Sequence, residues 1–237
     1  MSIVSEEEKR AAGEYAARLV KSGDVVGLGT GSTVKYAIEA IAARMKSEGL
    51  EVVGTPTSLQ TEELARSLCI PMKDIDDLER LDIAIDGADE IDPNLDLIKG
   101  MGGALYREKV VARLARRFVI VADRSKLVKK LGTLSPLPVE VARFGASHAV
   151  RALSIIEGVC SARFREKEGK RVHTDNGNYV VDLKFGNGID DPSRTRSEIE
   201  NIEGVLTCGL FLGMATDAVV ADGSSVKVLE RPRRRSP

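Results

Sequence analysis

Residues 24–45 read "DVVGLGTGSTVKYAIEAIAARM", and the change of period inside them decides the fold. "DVVGL" is a short apolar run with no polar alternation, the pattern of a strand buried on both faces. Glycines at 27, 29 and 31 interrupt it, and "TVKYAIEAIAARM" then repeats with the spacing of an amphipathic helix. Strand, glycine-rich turn and helix make the first half of a βαβ unit, which leads to a parallel sheet with right-handed crossovers.

The alternation repeats outward along the chain. "EVVGTPTS" precedes the helical "LQTEELARSL"; "LDIAIDGAD" is a strand; "GALYREKVVARLARR" is a helix; "FVIVAD" is a strand leading into a helix "RSKLVKKLG" at 124–132. The order changes after "GTLSPLP", where proline and glycine punctuate the chain. From there strand "PVEVA", helix "SHAVRALSIIEG", strand "CSARFREK", turn "TDNGN", strand "YVVDLKFG", helix "DPSRTRSEIENIEG" and strand "VLTCGLFL" follow. This βαββαβ order is the ferredoxin-like split motif. The expected architecture is α/β: a Rossmann-like parallel-sheet domain over 1–131 and 205–230, with an inserted ferredoxin-like α+β domain over 132–204. The segment "FLGMATDAVVADGSSVKVLE" returns to the first sheet as a hairpin around its "DG" turn, and residues 231–237, "RPRRRSP", form a flexible basic tail.

Composition narrows the function classes. The 237 residues are 43% hydrophobic and 30% charged with a formal net charge of −1, so the core can be large and no basic footprint for nucleic acid or anionic membrane exists. Cys69, Cys160 and Cys208 are odd in number and far apart, which disfavours a disulfide framework or a zinc site. Neither a signal-peptide core nor a spanning apolar run occurs, so a cytoplasmic protein is expected.

Four loops fall where strands end and helices begin, the rim at which open α/β sheets bind ligands. In the first, the alternating glycines depart from GxGxxG and no GK[ST] follows, which disfavours a dinucleotide or nucleoside triphosphate. What remains is a turn delivering Thr30, Gly31, Ser32 and Thr33 to a helix N-terminus, suited to a small anion. The second loop offers a capping box at Thr57 and Gln60. In the third, Gly87 turns the chain after "LDIAID", leaving Asp86 and Asp89 on the rim, with Glu90 and Asp92 near enough in sequence to keep magnesium open.

Lys99 then precedes Gly100, Met101, Gly102 and Gly103, whose N–H groups could lie against a ligand. On the helical wheel, Glu108 falls near the centre of an apolar arc of Ala104, Leu105, Val111, Ala112, Leu114, Ala115 and Phe118. A carboxylate there is either ion-paired in the core, Arg107 being adjacent, or turned toward a pocket, where desolvation would raise its pKa into the range of a general base. In the fourth loop, Asp123 ends a strand and Lys126 heads the next helix. Together these groups suit proton abstraction next to a carbonyl in a phosphorylated small molecule, with no redox cofactor.

The motifs "GLGTGST", "IDGADEID", "LIKGMGGALYREKV" and "VADRSK", in this order and spacing, resemble ribose-5-phosphate isomerase of the A type, and the likeness covers nearly the whole chain. The resemblance implies interconversion of ribose 5-phosphate and ribulose 5-phosphate through a cis-enediol, without metal or organic cofactor, by a homodimer or homotetramer. It puts the base on Glu108. It gives hydroxyl binding to the segment Asp86, Gly87, Ala88 and Asp89, with Asp86 also in ring opening, and enediolate stabilisation to Lys99 and the amides of Gly100, Met101 and Gly102. It places substrate, largely its phosphate, on residues 30–33 and Lys126, with Lys9 as a further phosphate contact. Met101 departs from the glycine that many members carry. Two other classes compete: an acyl-CoA transferase on a related fold, which would form a glutamyl thioester trappable by hydroxylamine, and a non-catalytic sugar-phosphate sensor, for whose helix-turn-helix the chain has no room.

Overall fold

The computed structural model describes residues 3–223 and 225–232. In chain order the elements begin with α1 (Ile3–Ala17), β1 (Val25–Leu28), α2 (Ser32–Glu48), β2 (Val53–Pro56), α3 (Leu59–Ser67), β3 (Leu81–Asp86), β4 (Glu90–Ile91) and β5 (Leu97–Ile98). Next come α4 (Leu105–Leu114), β6 (Ala115–Asp123), β7 (Leu137–Val141), α5 (Ala146–Leu153), β8 (Val159–Phe164), β9 (Glu166–Lys167) and β10 (Lys170–Arg171). The chain ends with β11 (Tyr179–Phe185), α6 (Pro192–Glu200), β12 (Val205–Cys208), β13 (Leu210–Phe211), β14 (Asp217–Asp222) and β15 (Ser225–Glu230). The chain divides into two compact units, one of Met1–Ala88, Arg107–Lys126 and Gly213–Pro237, the other of Asp89–Tyr106 and Leu127–Leu212.

In the first unit six strands lie in the order β15-β14-β6-β3-β1-β2. All pairings are parallel except β14 with β15, the expected terminal hairpin. Alternate residues Val26 and Leu28, Ile83 and Ile85, Val119 and Val121, and Val219 and Ala221 share one core with Ala12 and Ala16 of α1 and Val34, Ile38 and Ile41 of α2. Each large aliphatic side chain so buried contributes roughly 1.5–3 kcal/mol. α4 covers the other face, its Val111 lying against the backbone of Gly27 in β1. Helices on both faces explain why these strands carry continuous apolar runs.

The second unit contains an antiparallel sheet in the order β12-β7-β11-β8. With α5 and α6 connecting, this is the ferredoxin-like arrangement expected from βαββαβ. Asp191 caps α6 by accepting the Arg194 N–H at 3.0 Å, with Pro192 in the first turn. A small sheet, β13-β5-β4, lies in the same unit.

Four local expectations are corrected. The helix expected at 124–132 is a single 3-10 turn, Arg124–Lys126. Asp123 caps that turn through the Ser125 N–H and hydroxyl, and the backbone then pairs with β4, Val128 N–H donating to the Ile91 carbonyl at 2.9 Å. α4 ends at Leu114 because Ala115 and Arg117 join the sheet beside Leu81 and Ile83. The cap of α3 is Ser58, whose hydroxyl accepts the Thr61 N–H at 3.1 Å, not a Thr57–Gln60 box. Arg231, placed in the flexible tail, is anchored: its N–H donates to Thr216 and its Nε to the Ala215 carbonyl. Residues 233–237 of that tail lie outside the described residues.

Candidate active site

In the first unit the strand order steps from β1 to β2 on one side and to β3 and β6 on the other. The carboxyl ends of β1 and β3 therefore form a topological switch point, where neighbouring loops leave in opposite directions and open a crevice. Gly29 and Asp86 meet there. A Cβ on Gly29 would lie 2.3 Å from Asp86 Oδ1 and 2.6 Å from its Cα, so the approach requires glycine. Asp86 is 2% exposed. Its Oδ1 accepts N–H bonds from Thr30 at 3.0 Å and Gly87 at 2.7 Å, which fixes the carboxylate plane; Gly87 and Ala88 are half-buried beside it.

The α2 N-terminus adjoins this point. Gly31 precedes it at φ 126°, ψ 170°, and no side chain caps it, so its first N–H groups and the positive end of the helix dipole face outward. A cavity of about 450 Å³ opens beside it, lined by Gly29, Gly31, Ser32, Lys35, Gln60 and Thr61 among others. Gly31 and Ser32 are exposed there, whereas Thr33 is buried. The Thr30 hydroxyl turns inward, donating to Ser58 Oγ at 2.8 Å and lying 2.8 Å from Thr57 Oγ1. Thr61 in turn donates to the Gly29 carbonyl at 2.8 Å. This hydroxyl cluster ties the glycine loop to the start of α3. Lys35, Gln60 and Thr61 were missed as cavity residues; the run of hydroxyls in "TPTSLQT" was the available signal.

Lys9 is buried, and its ammonium donates to Glu6 at 3.0 Å instead of lining the cavity. The Tyr36 hydroxyl, then Lys9, hold the Glu6 carboxyl below its ordinary range, while Glu6 pushes the Tyr36 phenol up. Glu108 is in the first turn of α4, 5% exposed, on the inward side that the helical wheel places it. Lys126 is half-buried in the 3-10 turn, not at a helix head.

In the second unit, Asp89 N–H donates to the Ile98 carbonyl at 2.8 Å, and Asp89 Oδ2 accepts the Met101 N–H at 3.0 Å. Lys99 is 2% exposed, its N–H bonded to the Gly209 carbonyl at 2.9 Å and its ammonium 5.6 Å from the Phe211 ring centre. Gly100 adopts φ 108°, and a Cβ there would lie 2.8 Å from Leu105 Cβ. Met101 is 43% exposed and is not among the residues of positive φ, so position 101 does not require glycine. Its N–H holds Asp89, which leaves Gly102, exposed, to present the next N–H. A side chain that sequence reasoning missed is Arg165, which reaches the carbonyls of Gly100 and Met101; nothing in "FREK" separates it from a surface base.

The crowded acids that kept magnesium open have other partners. Glu90, fully buried, accepts N–H bonds from Gly132, Leu134 and Ser135, and Asp92 accepts those of Asn94 and Asp96. Among the described residues no group of three or more His, Cys, Asp or Glu side chains is gathered for a metal ion. None of the described helices is long and apolar enough to cross a membrane.

Comparison with known proteins shows what the chain as a whole is similar to. The family model described as ribose 5-phosphate isomerase A (phosphoriboisomerase A) matches residues 53–225. A ribose-5-phosphate isomerase A of Streptococcus agalactiae is 46% identical over 226 residues, 95% of this chain and 100% of that protein. The solved ribose 5-phosphate isomerase A of Methanocaldococcus jannaschii superposes with a TM-score of 0.89 at 42% identity, covering 95% of this chain and 99% of its own. A D-ribose-5-phosphate isomerase solved in complex with phospho-erythronic acid has a TM-score of 0.91 at 39% identity over 98% of this chain and 100% of its own.

Proposed function

We infer that this chain, which belongs to the ribose 5-phosphate isomerase A family, interconverts D-ribose 5-phosphate and D-ribulose 5-phosphate in the non-oxidative branch of the pentose phosphate pathway. The observation that carries the reading of the site is the buried Glu108 carboxylate on the first turn of α4, in a chain of that family. Glu108 removes the proton from C2 of the open-chain aldose and returns it to C1, while the hydroxyl proton passes from O2 to O1. Asp86, held in one plane by two N–H bonds, assists ring opening and, with Asp89, holds sugar hydroxyls.

The negative charge that develops on the enediolate oxygen is met by the Lys99 ammonium and the Gly102 N–H, groups already oriented before reaction. The substrate phosphate is a permanent anion, and it binds at the uncapped α2 N-terminus beside Gly31, Ser32 and Lys35. None of these steps calls for electron transfer or a Lewis acid. Free thiols at Cys69, Cys160 and Cys208 suit a cytoplasmic setting. The exposed Phe144 and Ile155 offer apolar surface that a homodimer or homotetramer would cover.

The test is turnover of ribose 5-phosphate in deuterated water by wild type, by Glu108→Gln and by protein dialysed against a chelator. Wild type should isomerise the sugar and incorporate deuterium at the exchanged carbon, with or without chelation. Near-wild-type turnover by Glu108→Gln would remove the base assignment, and loss on chelation would remove the metal-free reading.

A further inference from the structure

Residues 99–103 carry a buried lysine on a chain rich in glycine, whose peptide planes need partners to fix them. The Gly103 N–H closes a turn onto the Gly100 carbonyl at 3.0 Å, and the side chain that holds this carbonyl together with the next is Arg165. It follows the end of β8, and its N–H donates to the Val180 carbonyl of β11 at 2.8 Å. Its side chain is 12% exposed. Nε and Nη2 grip both oxygens of Asp182 on β11, at 2.9 and 2.5 Å. With that edge of the rigid guanidinium fork fixed, Nη1 donates to two successive carbonyls, Gly100 at 2.9 Å and Met101 at 2.8 Å.

Both peptides are trans, so within each the C=O and the N–H point to opposite sides. Drawing the Gly100 carbonyl toward Arg165 turns the Met101 N–H away, and that N–H is found on Asp89 Oδ2. Drawing in the Met101 carbonyl turns the Gly102 N–H away in the same manner. Asp182 neutralises the guanidinium, so the loop receives mainly direction from this pair, whereas charge comes from Lys99.

We propose that Arg165, locked by Asp182, is the positioning residue of the isomerisation: it sets the two peptide planes that hold Asp89 and aim the Gly102 N–H at the enediolate oxygen. The proposal rests on the isomerase reading, and Arg165 itself touches no substrate.

The experiment compares wild type, Arg165→Ala, Arg165→Lys and Asp182→Asn in kcat, KM and thermal unfolding, adding methylguanidinium or methylammonium to the alanine variant. Arg165→Ala should lose about 10²-fold in kcat, the scale of one oxyanion donor, with KM for ribose 5-phosphate within about threefold of wild type. Arg165→Lys should fall between the two, and methylguanidinium should restore more activity than methylammonium. Unchanged kcat, a rise in KM alone, or a kcat loss no larger than the unfolded fraction would overturn the proposal, as would equal rescue by the two cations. Amide exchange at Met101 gives a readout without catalysis: it should accelerate in Arg165→Ala, and in Arg165→Lys should the former fail to fold; unaltered exchange overturns the clamp. Wild type that fails to turn over the sugar would instead sink the isomerase reading.

Discussion

Residues 29–33 and residues 99–103 are both glycine-rich segments that run into helices, α2 and α4, yet their polar groups are disposed in opposite ways. In the first, the Gly29 carbonyl and the Thr30 hydroxyl are tied to the start of α3, Gly31 leaves the helix end uncapped, and the adjoining cavity is open. In the second, the lysine is buried, and successive backbone groups are taken by Gly209, Asp89 and Arg165. A permanent anion such as a phosphate carries its charge into the site and is served by an accessible helix end. A charge that exists only during reaction is stabilised by donors already aimed, because they need no reorganisation when it forms.

The largest effect should come from a change that touches neither segment. Glu108→Gln keeps the shape of the first turn of α4 and removes the base, so kcat should fall by about 10²–10⁴ with KM little altered, the range for loss of general-base catalysis. Steady-state kinetics check it, and residual activity within tenfold of wild type would mean that the two segments perform the chemistry alone. Gly100→Ala attacks the second segment: the φ of 108° and the contact with Leu105 must both give way. We expect kcat to fall about 10²-fold and stability to drop by about 1–3 kcal/mol, read by turnover and urea unfolding. A variant that changes KM and spares kcat would erase the distinction between the segments. Lys35→Ala attacks the first: KM should rise about five- to tenfold with kcat near wild type, as expected for one exposed cation near an anion. Competitive inhibition by inorganic phosphate should weaken in parallel, and its constancy would take Lys35 out of the cradle.

Much of this division was legible in the sequence because it rests on local pattern. β1, β3 and β6 announce themselves by continuous apolar runs since both faces are covered, and Asp86 stands out as a carboxylate closing such a run. Glu108 is visible because a charged residue interrupts an otherwise apolar helical arc. The order of strands and helices between Leu137 and Cys208 was enough to name the ferredoxin-like arrangement. Contacts that only folding creates were not legible. The expected helix after Asp123 fails because Leu127 and Val128 pair with Ile91, a partner distant in sequence that overrides local propensity. Ser58, not Thr57, caps α3, while Thr57 donates to the Leu28 carbonyl. The ion pair of Lys9 with Glu6, one helical turn away, was likewise not read from the sequence. Arg165 carried no signal at all, since its meaning resides in carbonyls of residues 100 and 101.

The smallest effect is expected at Met101, the one non-glycine residue of the run 100–103. Met101 adopts a backbone conformation open to any L-residue, and what the protein uses there is backbone: the N–H on Asp89 and the carbonyl on Arg165. The thioether adds only a sulfur 3.6 Å from Arg165 Nη2, a weak contact on a half-open surface. Met101→Gly should therefore leave both hydrogen bonds in place and change kcat by less than about threefold, while the added freedom of glycine in the unfolded chain lowers stability by about 0.5–1 kcal/mol. Turnover together with thermal unfolding checks this, and the informative quantity is the contrast with Gly100→Ala one position earlier. A tenfold loss of kcat in Met101→Gly would mean that the side chain, and not the Arg165 clamp, sets the peptide planes of the segment.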